Sequence, residues 1–568
     1  MKLTYAIVAI HRYISSDYIK KSLLSLRAIG VAGFMAGLVA CGGGGGGGAA
    51  PPASTTTYLH YMSGSTTTRV AGTLTTIDPA APATTTNTNP ALVGYNRVAY
   101  VSTGTISAGT VSNMRRYAVV FSSGGMIKKQ SAVVGTTVPA AVQISSASGI
   151  TSGPGDGTAN AAATDLCELR TFPDFQAPDN SGVFYGLAGT DLTCGNTDDA
   201  YSWLRLNTPA GTAPTPVTGV TSEPVSIYNT STGAITGFVA LNTAGALTKF
   251  DANLANPVVV PTGAGPFSGL EALVDITANG HMLLLAGNSI RTYDPASNTL
   301  GATVLATISQ PGSFYGYTYD ATNFYFVDNP LPNYSTNVIQ RISLTTASPA
   351  AASPVVTEAA GARINISWNA GTPNRLVYSM TSGTDNSLQS IVRTATSATS
   401  STRLYPAAAT TDSIRLAGST STGRVYMTRM LAGGAVTAAV INDDATGLMT
   451  HADAQWNGSI TDTTFSLFGG AEYLSQLVLL QRNAAGKTTD DGATLTAYDA
   501  AAHTVGAVLG NVPVDITSVF GPWESGAQAL LTGNRTGGGT DIFYVNVLSA
   551  GSLTRVTIDA AVEDRLYF

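Results

Sequence analysis

The chain has 568 residues, 11% charged and 44% hydrophobic, with 61 glycines and 28 Lys plus Arg against 34 Asp plus Glu. Ordinary domains carry about 25% charged residues, so coiled coils and helical repeats are excluded and the surface is finished in Thr, Ser, Asn and Gly. A net charge of −6 leaves no basic face for phosphate, which excludes nucleic acid as a partner, while the apolar share is ample for a core.

In chain order the first element is a leader. Lys20, Lys21 and Arg27 form a basic run, and Ala28 to Ala40 is an uncharged, mostly apolar stretch of 13 residues. That is signal-peptide length and too short for a membrane span, which needs about 20 residues. It ends in Leu38-Val39-Ala40-Cys41 and is followed by seven glycines, Gly42 to Gly48.

These residues resemble the lipobox of bacterial lipoproteins. The resemblance implies that residues 1–40 are a signal peptide and that Leu38, Val39 and Ala40 are the peptidase recognition positions. It makes Cys41 the lipidated residue, carrying diacylglycerol on its thiol and an acyl chain such as palmitate on its new N-terminus. Two or more chains on one residue anchor firmly where one binds only marginally. A plain secretory signal with an incidental Cys41 is the alternative. Gly42 is not the Asp that the family uses for inner-membrane retention, so the outer membrane is the expected destination, with the body on either face.

Residues 41–57, the lipidated Cys with its Gly-, Pro- and Thr-rich continuation, read as a flexible tether that lets a folded body stand off the bilayer. The body, 58–568, carries only Lys128, Lys129, Lys249 and Lys487 as lysines. Charge will not draw it to anionic lipid, so the acyl chains are the expected attachment.

Cys167 and Cys194 remain. In an exported chain an even pair reads as one disulfide, closing a loop worth about 3 to 4 kcal/mol in the chain-entropy model. A reactive or metal-binding pair is the alternative, and it lacks CxxC spacing and a nearby His.

The body shows short Val-, Ile-, Tyr-, Phe- and Leu-rich runs broken every 8 to 12 residues or so by Gly, Asn, Asp or Pro, which predicts strands throughout. Among them are Arg97–Val101, Tyr117–Phe121, Met282–Leu285 and Phe324–Val327. A repeat runs through them. Val225-Ser226-Ile227-Tyr228-Asn229, Ile290-Arg291-Thr292-Tyr293-Asp294 and Leu495-Thr496-Ala497-Tyr498-Asp499 each precede a turn and an aliphatic residue. Asp or Asn opens such turns because its side chain accepts backbone N–H groups two residues on. Gly233, Asn298 or His503 fills the position that calls for positive φ.

This hairpin resembles the one recurring in the blades of quinoprotein-like, Tol-system and lactonase-like β-propellers. The Trp that quinoprotein dehydrogenases place after the turn is absent from all three copies, which speaks against their cofactor. The expected fold is all-β, a propeller of about seven to eight blades at roughly 40 to 60 residues each, closed by the hairpin from Asp541–Val545 to Leu553–Val556. A sandwich before about residue 215 with a smaller propeller after it is the alternative.

Candidate chemistry is sparse. Asp191, Asn196, Asp198 and Asp199 surround Cys194 at a spacing that suits a calcium ion, beside the reading in which they cap a solvated turn. No other cofactor is expected. Asp443-Asp444 and Asp490-Asp491 read as turn residues. Gly486-Lys487-Thr488 lacks the earlier glycine of a phosphate loop, Gln481 standing there. His60, His281, His451 and His503 form no paired metal motif, no G-x-S-x-G elbow occurs, and Trp203, Trp368, Trp456 and Trp523 read as packing residues. The expected function is therefore non-enzymatic: a binding or scaffold protein of the cell envelope, held to the membrane by its lipid, with an outer-membrane or periplasmic protein as partner. The alternative is a lactonase-like or glycan-cleaving enzyme with its site in the propeller channel.

Overall fold

A computed structural model describes residues 59–64, 72–77, 86–92, 98–107, 110–123, 126–131, 140–145, 166–187, 199–261, 263, 265–275, 277, 279–309, 316–320, 322–328, 337–366, 372, 374–419, 423–431, 436–451, 462–466, 476–482, 493–499, 504–512, 515–520, 528–534, 540–546, 550–556 and 563–566. The leader, Cys41 and the tether lie outside them. Among these residues there is no α-helix, only strands and one 3-10 turn, Pro178–Asn180.

The strands run as antiparallel meanders, which we number as units. Unit 2 is β4 (Val98–Ser107), β5 (Thr110–Ser123), β6 (Met126–Ser131) and β7 (Val142–Gln143). Unit 3 is β8 (Leu166–Phe172), β9 (Gly182–Leu187), β10 (Ala200–Arg205) and β11 (Thr215–Val217). Unit 4 is β12 (Val225–Tyr228), β13 (Ile235–Leu241), β14 (Leu247–Asp251) and β15 (Val258–Val259). Unit 5 is β16 (Leu270–Val274), β17 (Met282–Ala286), β18 (Ser289–Asp294) and β19 (Thr299–Leu300), with β20 (Ala306–Thr307) also on β18.

Unit 6 is β21 (Gly316–Tyr319), β22 (Asn323–Val327), β23 (Val338–Ser343) and β24 (Ser353–Thr357). Unit 7 is β25 (Arg363–Asn365), β26 (Arg375–Ser382), β27 (Asp385–Val392) and β28 (Thr402–Tyr405). Unit 8 is β29 (Ser413–Ser419), β30 (Arg424–Met430), β31 (Val436–Asn442) and β32 (Met449–His451). Unit 9 is β33 (Asp462–Ser466), β34 (Gln476–Arg482), β35 (Ala493–Asp499) and β36 (Thr504–Val512), joined to unit 8 by the single pair Val436–Asp462. Unit 10 is β37 (Asp515–Phe520), β38 (Gln528–Asn534), β39 (Thr540–Asn546) and β40 (Thr554–Arg555).

Unit 1 is assembled from both ends of the chain. Its strands β1 (Leu59–Gly64), β2 (Gly72–Ile77) and β3 (Thr86–Leu92) are completed by β41 (Glu563–Leu566), which pairs antiparallel with β1 from Tyr61–Leu566 to Gly64–Glu563. The expected hairpin of β39 and β40 forms, with Phe543 opposite Arg555, but it belongs to unit 10. The strand that returns to the N-terminal sheet is β41. The described strands fall into eight hydrogen-bonded sheets, two of which join a pair of meanders through a single parallel pair each, Val436–Asp462 and Thr540–Glu563.

The core explains why the second strands read as unbroken apolar runs. In β13, Phe238 and Ala240 pack on Phe172, Phe184 and Trp203 of unit 3, while Val239 and Leu241 pack on Met282, Leu284 and Tyr293 of unit 5. In β17, Leu283 and Leu285 turn the other way, onto Phe324 and Phe326 of unit 6. Tyr325 and Val327 of β22 meet Leu376 and Tyr378 of unit 7, and Val377 meets Val425 and Met427 of unit 8. Val101, Val120 and Ile127 of unit 2 cover Val183 and Tyr185 of unit 3. A strand whose side chains alternate between two covered faces must be apolar at both parities. Each fully buried Leu or Phe contributes roughly 1.5 to 3 kcal/mol. The core also runs through residue 215 without a break, since units 3 and 4 share one cluster.

Candidate functional site

In an antiparallel meander the turns joining strands one to two and three to four fall at the same end. Contacts between units align these ends: Phe175 donates its backbone N–H to the Gly233 carbonyl at 3.1 Å, and Arg393 Nη1 lies 2.9 Å from Asp320 Oδ2. Arg393 Nε also donates to the Thr372 carbonyl at 2.8 Å.

The turns at this end share one chemistry. Asn229 Oδ1 accepts N–H groups of Ser231 and Thr232 at 2.9 and 3.0 Å, and Asp294 Oδ1 accepts that of Ala296 at 2.9 Å. Gly233 and Asn298 hold the left-handed positions, at φ +73° and +55°. Asp251 and Asp320 cap their turns in the same way. The Tyr-Asp/Asn repeat therefore marks a turn type and not one fixed place in a unit. Tyr228-Asn229 joins strands one and two of unit 4, whereas Tyr293-Asp294 and Tyr498-Asp499 join strands three and four of units 5 and 9. Both kinds of turn leave a strand running the same way, so both accept the same residues.

Cations on the third strands of units 2, 3, 4 and 6 tie each of them to a turn of the next unit. Lys129 Nζ is 3.6 Å from Asp179, and Arg205 donates to the Ala252 carbonyl at 2.9 Å and to Asn253 at 3.0 Å. Lys249 donates to the Pro295 carbonyl at 2.5 Å and Arg341 to that of Arg393 at 3.1 Å. Sequence reading missed this use of the scarce basic residues. Arg205, Lys249 and Arg341 are each the single cation of their strand, and Lys129 follows Lys128, so nothing local sets them apart as ties between units.

The first strands of units 4, 5 and 6 end in Tyr228, in Val274 followed by Asp275, and in Tyr319. Burial lifts the Asp275 carboxyl from the usual carboxylate range to about 6. Burial also pushes both phenols well above the usual tyrosine range, and the Asp275 charge adds to the push on each. Tyr317, 8% exposed, packs beside Tyr319 with its ring 5.3 Å from that of Phe324. Asp174, also near Tyr228, is fully engaged: it accepts the N–H groups of Gln176, Ala177 and Ile235 at 3.0, 2.8 and 3.4 Å. None of these residues carried a motif in the sequence.

Of the residues expected to form a calcium site, Asp191, Asn196 and Asp198 lie outside the described residues. Asp199, half-buried at the start of β10, bonds the Tyr201 phenol, which burial and the Asp199 and Glu168 charges push up to about 12. Cys194 and the Cys167 side chain likewise lie outside the described set. The backbone of Cys167 sits in the β-bulge between Leu166, opposite Leu187, and Glu168, opposite Gly186. His281 is a turn histidine, its Nδ1 3.1 Å from the Asn279 carbonyl and its Nε2 4.0 Å from Asp294. The side chains of His60, His451 and His503 lie outside. Asp443 takes the Thr372 hydroxyl and Asp444 accepts the Thr446 N–H at 3.0 Å, so this pair serves turns. Trp203, 3% exposed, is a core residue; Trp368, Trp456 and Trp523, with Asp490-Asp491 and Gly486-Lys487, lie outside. No three His, Cys, Asp or Glu side chains gather as for a metal among the described residues.

No family model matches the chain, and no curated protein matches it. Among solved structures, a eukaryotic initiation factor is similar over 90% of this chain and 98% of its own, at 11% identity and a TM-score of 0.41. A prolyl endopeptidase structure is similar over 62% of this chain at 13% identity and a TM-score of 0.35; the chain spans 50% of that protein's length. A putative TolB from Agrobacterium tumefaciens is similar over 46% of this chain and 86% of its own, at 13% identity and a TM-score of 0.24. At these scores the fold rests on the strand pairing and core packing described above.

Proposed function

We propose that the chain is a lipoprotein of the outer membrane, anchored through Cys41, whose body is a β-propeller acting as a non-enzymatic binding or scaffold protein of the cell envelope. One observation carries the reading of the body: units 3 to 7 are each covered on both faces by their neighbours in sequence, and the last strand completes the first unit. A series of meanders stacked face to face and joined end to end is the construction of a propeller, which removes long exposed sheet edges. First strands approach one another, as β4 does β8, with the Thr171 hydroxyl donating to the Tyr100 carbonyl, which suits strands nearest an axis. The lipobox and glycine tether support the anchor.

Binding is favoured over hydrolysis by the carboxylates. Glycan cleavage uses two of them, one on each side of the bond. Asp275 accepts no hydrogen bond among the described residues, but Asp174, which like it acts on Tyr228, is held by three backbone amides. The lactonase-like or glycan-cleaving alternative draws on Asp275 alone.

Cross-linking of the full-length lipidated protein in its native envelope, beside Cys41→Ser, tests the reading. A near-stoichiometric protein captured only with the anchor is the expected result. Capture of nothing above background would overturn the scaffold role.

A further inference from the structure

The outermost strand of unit 4 is an apolar edge. Val258 and Val259 of β15 are 55% and 49% exposed, although successive side chains of a strand point to opposite faces. Both faces are therefore open, and β15 ends its sheet with no strand beyond it among the described residues. No charge guards it along the chain, since residues 254–265 contain no Asp, Glu, Lys or Arg. Lys249, which stands opposite Val258, is turned to the Pro295 carbonyl at 2.5 Å. An uncharged, valine-rich edge of this kind is a template for pairing with another chain.

Hydrogen-bond direction shows what stands there in place of charge. The Asn242 N–H donates to the Ala246 carbonyl at 2.9 Å, which turns the backbone groups of the even-numbered residues of β14 towards β13. The odd-numbered ones face β15, where the Val260 N–H meets the Leu247 carbonyl at 3.0 Å. Val258, opposite Lys249, thus faces inward, and Val259, opposite Thr248, faces the open edge. The outward positions on either side of Val259 are Pro257 and Pro261, which have no N–H to give. Of these three successive positions, only Val259 can donate. Unit 3 repeats the arrangement. The Leu206 N–H on the Ser181 carbonyl at 3.0 Å turns the even-numbered residues of β10 towards β9. Pro216, opposite Ser202, therefore presents its nitrogen to the outer edge of β11, and Pro214 stands two residues before it.

We propose that Pro257 and Pro261 close the rim of unit 4 to strand addition, and that the partner they exclude is the same edge of a second copy of this chain. The segment Pro257-Val258-Val259-Val260-Pro261 reads the same in both directions. Two copies meeting antiparallel about a two-fold axis would set Val259 against its counterpart and Pro257 against Pro261, and a two-fold contact needs such a self-complementary edge. With proline at both flanks, the pair keeps only the backbone bonds of Val259. The proposal stands apart from the anchor and the scaffold reading, and it places any envelope partner away from this rim.

Sedimentation velocity of the full-length protein in detergent tests it, on the parent, on Pro257→Thr/Pro261→Thr, and on that double variant with Val259→Lys added. The parent sediments as a monomer. The double variant keeps the parent's circular dichroism spectrum and self-associates at least tenfold more tightly. Val259→Lys returns it to the parent's behaviour, because a lysine on an edge strand blocks pairing. A folded double variant that stays monomeric, a parent that associates as tightly as the variant, or association that survives Val259→Lys would overturn the proposal. Amide hydrogen exchange of the parent, read residue by residue, tests the geometry without any substitution that could disturb folding. Val259 exchanges fast while Val258 and Val260 exchange more slowly; a protected Val259 in the monomer would mean a covered edge and would equally sink the idea.

Discussion

Lys249 on the third strand of unit 4 donates from Nζ to the Pro295 carbonyl in a turn of unit 5, 2.5 Å away. The contact joins two units whose apolar faces already meet, and it fixes their stagger at the turn-bearing end. A charged donor on a partly buried carbonyl is worth about 1.5 to 3 kcal/mol, and a stem of four methylenes adds cover. Lys249→Met keeps most of the stem and removes the donor. It should lower the unfolding free energy by about 1 to 2 kcal/mol in a urea titration at unchanged slope. Full retention of stability would show that packing alone sets the stagger.

Gly182 in β9 makes room for Trp203, since a Cβ there would lie 1.7 Å from the indole Cη2. That ring packs against Phe172 and Phe238 at centroid distances of 5.9 and 5.0 Å. Gly182→Ala should therefore destabilise by about 2 to 3 kcal/mol through displaced core packing. Adding Trp203→Phe to Gly182→Ala should recover part of the loss, measured by thermal unfolding. Additive losses in the double variant would mean that the two positions do not compete for space.

For Asp275 the sign follows from its raised carboxyl, about 6 against an ordinary value of 3.8. Between these two values the folded state holds a proton that the unfolded state has released, so stability falls as pH rises through this window and levels above it. Asp275→Asn removes the ionisation. The variant should match the parent near pH 4 and exceed it at pH 8, by less than the roughly 3 kcal/mol that a shift of about two units implies, because solvent screens a half-buried group. Denaturation at the two pH values is the check, and a variant less stable at pH 8 would refute the burial of an unpaired charge.

Asp385 behaves oppositely. Two hydrogen bonds from Arg403, at 2.7 and 2.9 Å, with the Thr410 N–H at 2.9 Å, hold its carboxyl down at about 2. Its contribution is present above the unfolded value near 3.8 and is lost as pH falls towards 2. Because the pair is partly exposed, Asp385→Asn should cost only about 1 kcal/mol at pH 7, and the difference should vanish near pH 2. A pH-independent difference would assign the effect to packing.

Cys41→Ser should move the protein from the membrane fraction to the soluble fraction of the envelope. Retention in the membrane after a high-salt wash would point to an attachment other than lipid.

The all-β class and the turn chemistry were legible in the chain because each depends on neighbours along the sequence. Asn229 and Asp294 reach amides two residues away, and Gly233 answers a local φ. The apolar run Met282–Leu285 also announced a buried strand, but not that its two parities serve two different neighbours, because period two is the same whichever unit lies against each face. Only the tertiary structure decided that β41, not the β39–β40 hairpin, completes the first unit, a pairing across the whole length of the chain. Asp275 shows the limit most plainly. In sequence it is one Asp among many at strand ends. What distinguishes it from Asp294 and Asp320 is that its own turn closes without it, by the Gly280 N–H on the Thr277 carbonyl and the Thr277 N–H on the His281 carbonyl, and a carboxyl raised by its surroundings is a property that no local spacing records.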